Sequence, residues 1–291
     1  MDINYELYKV FYHVANTLSF SEASKQLFIS QSAVSQSIKV LEKKLNQPLF
    51  IRSTKRVQLT PEGEILLKHI EPAMNLIRQG ENQLLEANTL NGGQLRIGAS
   101  DTICRYYLVP YLKEFHRRYP NVHIKVTNQT SIACAKLLES GQVDFAITNY
   151  PNSGLSNTQN VRIIREFKDV FVANDEYKEL KGKTVSLKDL KQFPILMLDR
   201  KSTTSEFLHS MFQRHQLDLV PEIELSSNDL LIDLARIGLG VAFVPDYCIP
   251  DNERSLFKVQ IEEELPTRQI VVASNDSLPI SQAAKQFMEM L

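Results

Sequence analysis

Phe20-Ser21-Glu22-Ala23-Ser24-Lys25-Gln26-Leu27, followed by Ile29-Ser30-Gln31-Ser32-Ala33-Val34-Ser35-Gln36-Ser37-Ile38-Lys39-Val40-Leu41-Glu42, decides how this chain of 291 residues is read. Ser19 or Ser21 can cap a helix from Glu22 to Leu27, Phe28-Ile29-Ser30 is a short turn, and a further helix runs from near Gln31 to about Leu45. Ala33, Val34, Ile38, Leu41 and Leu45 share one face at helical spacing, and Asn46-Gln47-Pro48 stops the helix. Ala23 is small enough to let the first helix of the pair cross the second. The outer face carries Gln31, Ser32, Ser35, Gln36 and Lys39, whose amides and hydroxyls can both donate and accept at base edges in a major groove. A merely solvated face would more often carry Glu and Lys pairs. The spacing predicts a helix-turn-helix over residues 20–42.

On the N-terminal side, Tyr5, Leu7, Tyr8, Phe11, Tyr12 and Ala15 predict another helix over residues 3–16. On the C-terminal side, Leu49-Phe50-Ile51 and Val57-Gln58-Leu59 read as two short strands around the basic Arg52-Ser53-Thr54-Lys55-Arg56, which completes a winged helix-turn-helix order. Net charge is −1, yet residues 1–60 hold eight Lys/Arg and four Asp/Glu, a local +4. A basic head on an acidic remainder suits one localised polyanion contact.

Thr60-Pro61-Glu62-Gly63-Glu64 reads as a helix start, with Thr as N-cap, Pro at N1 and Glu at N3 forming a capping box. The helix is expected to run unbroken to about Ala87. Leu66, Ile70, Ala73, Ile77, Gly80, Leu84 and Ala87 alternate at spacings of four and three, the pattern of a seam in a two-stranded coiled coil; an amphipathic helix packed on its own domain would also show it. Asn91-Gly92-Gly93 reads as a hinge. Beyond it, strands expected at 94–99, 122–127, 143–147, 163–173, 194–198, 222–225, 241–244 and 268–273 alternate with helices at 101–118, 132–140, 205–215, 229–238 and 280–291, an α/β body. Chain crossings near 150–165 and 265 predict two lobes with a cleft between them.

No apolar run is long enough for a membrane helix, and the N-terminus has no secretory pattern, so a cytoplasmic location is expected. Cys104, Cys134 and Cys248 are too few and too scattered for a disulfide framework or a metal pair; buried thiols are the simpler expectation. No P-loop, GxGxxG, GxSxG or HExxH sequence occurs, so neither an enzyme, a metal site nor a resident cofactor is expected.

The two stretches quoted first, with Leu49-Phe50-Ile51-Arg52 and Leu59-Thr60-Pro61-Glu62-Gly63, resemble the signature of LysR-type transcriptional regulators. One departure is Ser32, where many members carry Pro. The resemblance extends less specifically over the rest of the chain. It implies an α/β fold class with an N-terminal winged helix-turn-helix (1–60), a long linker and dimerisation helix (61–90) and a two-lobed, periplasmic-binding-protein-like (type 2) effector domain (91–291). Lobe I would comprise 91–162 and 267–291, lobe II 163–266. It also implies a homodimer through the linker helix, an expected homotetramer, double-stranded promoter DNA as partner, and a small-molecule co-inducer. By this resemblance Ser30, Gln31, Ser32, Ala33, Ser35, Gln36 and Lys39 face DNA, with Arg52, Thr54, Lys55 and Arg56 on phosphates or in the minor groove.

Four polar stretches end strands and open helices: Ser100-Asp101-Thr102, Asn128-Gln129-Thr130-Ser131, Ser202-Thr203-Thr204 and Ser226-Ser227-Asn228-Asp229. Each hydroxyl could simply cap its own helix. Together they suit a small anion at strand ends and helix N-termini. Ser100, Asp101, Thr102, Asn128, Gln129, Thr130, Ser131, Asn149, Ser202, Thr203, Thr204 and Val244 are the candidate effector residues, although Asp101 would repel an anion if it pointed inward. A solute-binding protein of the same fold would account for residues 92–291 but not 1–90. An enzyme or metabolic sensor with an accessory DNA head lacks catalytic motifs.

Overall fold

The structure, a computed structural model, describes residues 3–52, 56–87, 93–157, 159–275 and 279–291, with the backbone alone for 52, 82, 83 and 85–87. It packs as two units, Met1–Asn88 with Ser140–Gln142, and Thr89–Glu139 with Val143–Leu291.

In the first unit, α1 (Tyr5–Thr17), α2 (Phe20–Leu27) and α3 (Gln31–Leu45) are started by the side chains of Asn4, Ser19 and Ser30, which accept from Glu6, Glu22 and Ala33 backbone N–H groups. Ser19 rather than Ser21 is thus the cap of α2, which lets that helix begin two residues before Glu22. Leu18, Phe28 and Asn46 end the three helices in the left-handed conformation. Phe11, Val14, Ala23, Val34, Ile38 and Leu41 are fully buried in one core. β1 (Phe50–Arg52) and β2 (Val57–Leu59) pair antiparallel, Phe50 opposite Leu59. The wing residues Thr54 and Lys55, and the side chain of Arg52, lie outside the described residues.

α4 (Pro61–Ala87) spans 27 residues and carries Pro72 in its interior, where the missing N–H leaves the preceding turn without one hydrogen bond. Thr60 Oγ1 accepts the Gly63 N–H at 3.0 Å and donates to the Pro48 carbonyl at 2.7 Å. The expected capping box is corrected: the N3 position is Gly63, so no glutamate side chain stands there to return the bond. The seam is corrected in its first turns also. Leu66 and Ile70 are half-buried against the core of their own head, whereas Ala73, Ile77, Gly80 and Leu84 are exposed. The side chain of Ala87, and Asn91-Gly92 of the expected hinge, lie outside the described residues.

The second unit holds two sheets. The first has the order β4-β3-β5-β13-β6, from β3 (Gly93–Ala99), β4 (Val122–Asn128), β5 (Phe145–Tyr150), β6 (Gln159–Phe167) and β13 (Arg268–Asn275). The second has the order β10-β9-β11-β7-β12-β8, from β7 (Asp169–Ala173), β8 (Thr184–Val185), β9 (Ile195–Leu198), β10 (Ile223–Leu225), β11 (Val241–Pro245) and β12 (Phe257–Ile261). α5 (Asp101–Ile103) runs through a π-helical stretch, Cys104–Leu108, into α6 (Val109–Arg118). α7 (Ser131–Glu139) and α11 (Gln282–Met290) belong with the first sheet; α8 (Leu187–Leu190), α9 (Thr203–Arg214) and α10 (Asn228–Arg236) belong with the second. Phe115, Phe145 and Phe287 anchor one core, and Phe171, Phe212 and Phe243 the other.

The strand expected over 163–173 is two strands in different sheets: β6 pairs with β13, and β7 with β11 and β12. Lobe I therefore extends through Phe167, not 162, and the crossing falls at Lys168.

Candidate DNA-reading face and effector cleft

On α3, Val34, Ile38 and Leu41 are fully buried, while Gln31, Ser32, Ala33, Gln36 and Lys39 are exposed. Packing has consumed the apolar stripe and left the polar stripe on the outside of the unit. Ser30 caps the helix, its Oγ accepting the Ala33 N–H at 3.2 Å, and the positive end of the helix dipole lies at the same exposed end. Ser35 is half-buried on the flank of that stripe. At the other end of α3, Glu42 Oε1 accepts the N–H groups of Leu49 at 2.9 Å and Phe50 at 3.2 Å. α3 is thereby fastened to the wing, a link invisible in the spacing of apolar residues. Arg56 is exposed beside β2.

In the second unit a cavity of about 270 Å³ lies between the two lobes. Eleven of the twelve candidates from sequence line it: Ser100, Asp101, Thr102, Asn128, Gln129, Thr130, Ser131, Asn149, Ser202, Thr203 and Thr204. Val244 does not. It is fully buried in lobe II with Val172, Leu196 and Leu231, because every residue of β11 is buried and neither face opens on the cavity. Leu198, Asp199, Ser226, Ser227 and Asn228 complete the lining. The last three stand in the fourth polar stretch and could have been carried into the candidate set on the same grounds as the others; Leu198 and Asp199 carry no comparable signal.

The hydroxyls are less free than their number suggests. Ser100, Thr130 and Ser202 each accept a backbone N–H of their own helix, from Ile103, Ala133 and Ser205, and Ser202 also donates to the Asp199 carbonyl. Ser131 Oγ accepts the Asn149 N–H at 3.1 Å. Thr102 Oγ1 accepts from Asn228 Nδ2 at 2.9 Å, a bond that joins the lobes. Tyr106 donates to Asp229 across the same gap at 2.6 Å; burial and that carboxylate push its phenol above the ordinary range.

Behind the cleft, Arg268 is 1% exposed. Its Nη1 donates to Asp169 Oδ2 at 2.7 Å and to Thr204 Oγ1 at 3.1 Å, and its Nη2 to Thr203 Oγ1 at 3.1 Å. The guanidinium lies over the rings of Phe167 and Phe207. Asp169 opens β7 and Arg268 opens β13, so this ion pair ties together the two strands by which the chain passes between lobes. Two cleft hydroxyls hang from it.

Burial pushes Cys104 up to about 11 and Cys134 up to about 12, and raises Cys248 as well. Among the described residues no group of three or more His, Cys, Asp and Glu could hold a metal ion, and no helix is long and apolar enough to cross a membrane.

Comparison with known proteins matches both units. Residues 5–64 fit the model "Bacterial regulatory helix-turn-helix protein, lysR family", and residues 88–291 fit "LysR substrate binding domain". A "Probable RuBisCO transcriptional regulator" of Gracilaria tenuistipitata var. liui is 30% identical over 276 residues, 92% of this chain and 89% of that protein. Among solved structures, full-length CbnR complexed with its target DNA is similar at TM-score 0.65 and 18% identity, covering 99% of this chain and 98% of that one. The regulatory domain of CcmR from Synechocystis PCC6803, in complex with 2-PG, is similar at TM-score 0.62 and 19% identity, covering 68% of this chain and 95% of that one. The exposed polar stripe of α3, the interlobe cavity and the two matched models together make this chain a member of the LysR family of DNA-binding transcriptional regulators.

Proposed function

We propose that the protein reads promoter DNA through the exposed face of α3 and answers to a small carboxylate or other oxyanion held in the interlobe cavity. The observation that carries this reading is the division of α3: Val34, Ile38 and Leu41 fully buried, Gln31, Ser32, Gln36 and Lys39 exposed. Gln31, Ser32, Ser35, Gln36 and Lys39 are assigned to base edges, Ser30 and Ala33 to the approach of the helix start, and Arg52, Thr54, Lys55 and Arg56 to phosphates or the minor groove. The working division is a head of residues 1–60, a linker helix of 61–90 and an effector domain of 91–291.

The exposed Ala73, Ile77, Gly80 and Leu84 of α4 supply a surface for pairing two heads, and pairing of effector domains would make a tetramer. A two-fold pair calls for an inverted-repeat site. Effector occupancy would alter the closure of the lobes and so the spacing of the heads and the bend of the DNA. Such a regulator works beside the chromosome, which assigns it to the cytoplasm. A solute-binding role accounts for the effector domain alone and leaves the head without a use.

A gel shift with DNA from upstream of the chain's own gene tests the reading. Sequence-selective binding is expected of the wild type. The paired substitution Gln31→Ala and Arg52→Ala is expected to abolish it. No selective binding by the wild type refutes the regulator reading.

A further inference from the structure

The cavity between the lobes makes two demands that a plain anion does not meet. Asn149 and Asn228 line it and are 8% and 4% exposed, and the Oδ1 atom of each has no hydrogen-bond partner. Buried carbonyl oxygens are nearly always given a donor, because leaving one bare forfeits its hydration. The second demand is electrostatic. The ionisable residues lining the cavity are Asp101 and Asp199, with no Lys, Arg or His among the lining residues. A ligand of purely negative charge would face two carboxylates and no cation.

The hydroxyl side of the cavity asks for the opposite chemistry. Thr102 accepts from Asn228 Nδ2, and Thr203 and Thr204 accept from Arg268. Neither an amide NH₂ nor a guanidinium can accept in return, so these three hydroxyls cannot spend their own hydrogens on those partners and can offer them to a ligand oxygen. The start of α7 at Thr130 adds the positive end of its dipole. The lining of the cavity thus holds hydroxyl donors and unpartnered acceptors together, with two carboxylates and no cation among its residues.

We infer that the cleft takes a small zwitterion, an α-amino acid or a close analogue of one, its carboxylate on the hydroxyls of Thr102, Thr203 and Thr204 and its ammonium on Asn149, Asn228 and Asp199. The volume, about 270 Å³, lies just below the usual range for drug-sized ligands, which starts at about 300 Å³, and so suits a compact metabolite. The inference rests on the reading of this cavity as the effector site and sharpens the ligand from an anion to a molecule carrying both signs.

Titration calorimetry on the full chain tests it, with each standard α-amino acid added singly and with succinate and inorganic phosphate as plain anions. At least one amino acid is expected to bind one per chain. Its analogue lacking the amino group should bind about tenfold or more weakly. Asn149→Leu and Asn228→Leu should each weaken the amino acid by a similar factor. Asp199→Asn, at a half-exposed position that leaves the core untouched, should weaken it without weakening succinate. Succinate or phosphate binding with every amino acid silent overturns the zwitterion and leaves the effector cleft standing. Silence from every probe overturns both. Amino-acid binding unmoved by all three substitutions puts the ligand elsewhere and also overturns the inference.

Discussion

Gly63 shows how one residue joins the linker to the head. A Cβ built there would stand 2.2 Å from the Leu49 carbonyl oxygen and 2.9 Å from Leu59 Cδ2. Replacing a helical glycine by alanine ordinarily gains about 0.5–1 kcal/mol. Here the clash opposes the gain, and overpacking of this kind costs about 1–3 kcal/mol, against backbone that cannot swing aside. Gly63→Ala is therefore expected to destabilise the head by about 1–2 kcal/mol or more, measured by thermal unfolding of the full chain; a rise in Tm would show that α4 does not start against the wing. Arg268 makes the complementary case in the effector domain. Asp169→Asn leaves a buried guanidinium without its counter-charge, a change that costs about 3–5 kcal/mol, and urea unfolding of that unit should show a loss of this size. Replacing both partners, Asp169→Leu with Arg268→Met, should cost much less than the sum of the single changes. Additive losses would mean the two side chains do not act as a pair.

Elements differ in how far they can be read from sequence. α1, α2 and α3 were legible because each buries one stripe at a period near 3.6, and Ala23, Val34, Ile38 and Leu41 lie in the core as that spacing requires. The four polar stretches were legible for a different reason: hydroxyls and amides gathered at strand ends either cap helices or meet a ligand, and here Ser100, Thr130 and Ser202 cap their helices while also lining the cavity. Residues 163–173 could not be divided from sequence, since Ile163 to Ala173 has no turn signal where the chain passes at Lys168 from one sheet to the other. Val244 misled because β11 is buried on both faces, and a strand without alternation does not say which face looks where. In α4 the heptad spacing described two surroundings in succession: Leu66 and Ile70 pack on the core of the head, whereas Ile77 and Leu84 are 57% and 71% exposed. On the proposed pairing, Ile77→Asp with Leu84→Asp should halve the assembly in sedimentation, tetramer to dimer or dimer to monomer, while leaving the fold of the head intact by circular dichroism. An unchanged oligomer would assign assembly to another surface.

At the scale of the whole molecule, the head carries a local charge of +4 within a chain of net −1. On the proposed reading, one such head would make few phosphate contacts; two, correctly spaced, would make enough to hold a site and to lose it steeply as salt rises. The same arithmetic explains why base-reading residues and assembly residues are both needed. On the proposed reading, Gln36 on one head would discriminate a base pair by about 1–3 kcal/mol, and a two-fold pair would apply that preference twice. The most direct measurement is fluorescence anisotropy of the full chain on DNA from upstream of its own gene and on a scrambled duplex, repeated across a salt series. Selective binding that falls steeply with salt is predicted, with Gln36→Ala removing most of the preference for the genuine site while leaving binding to the scrambled duplex nearly unchanged. Equal affinity for both duplexes in the wild type, or affinity indifferent to salt, would contradict the assignment of α3 as the DNA-reading helix.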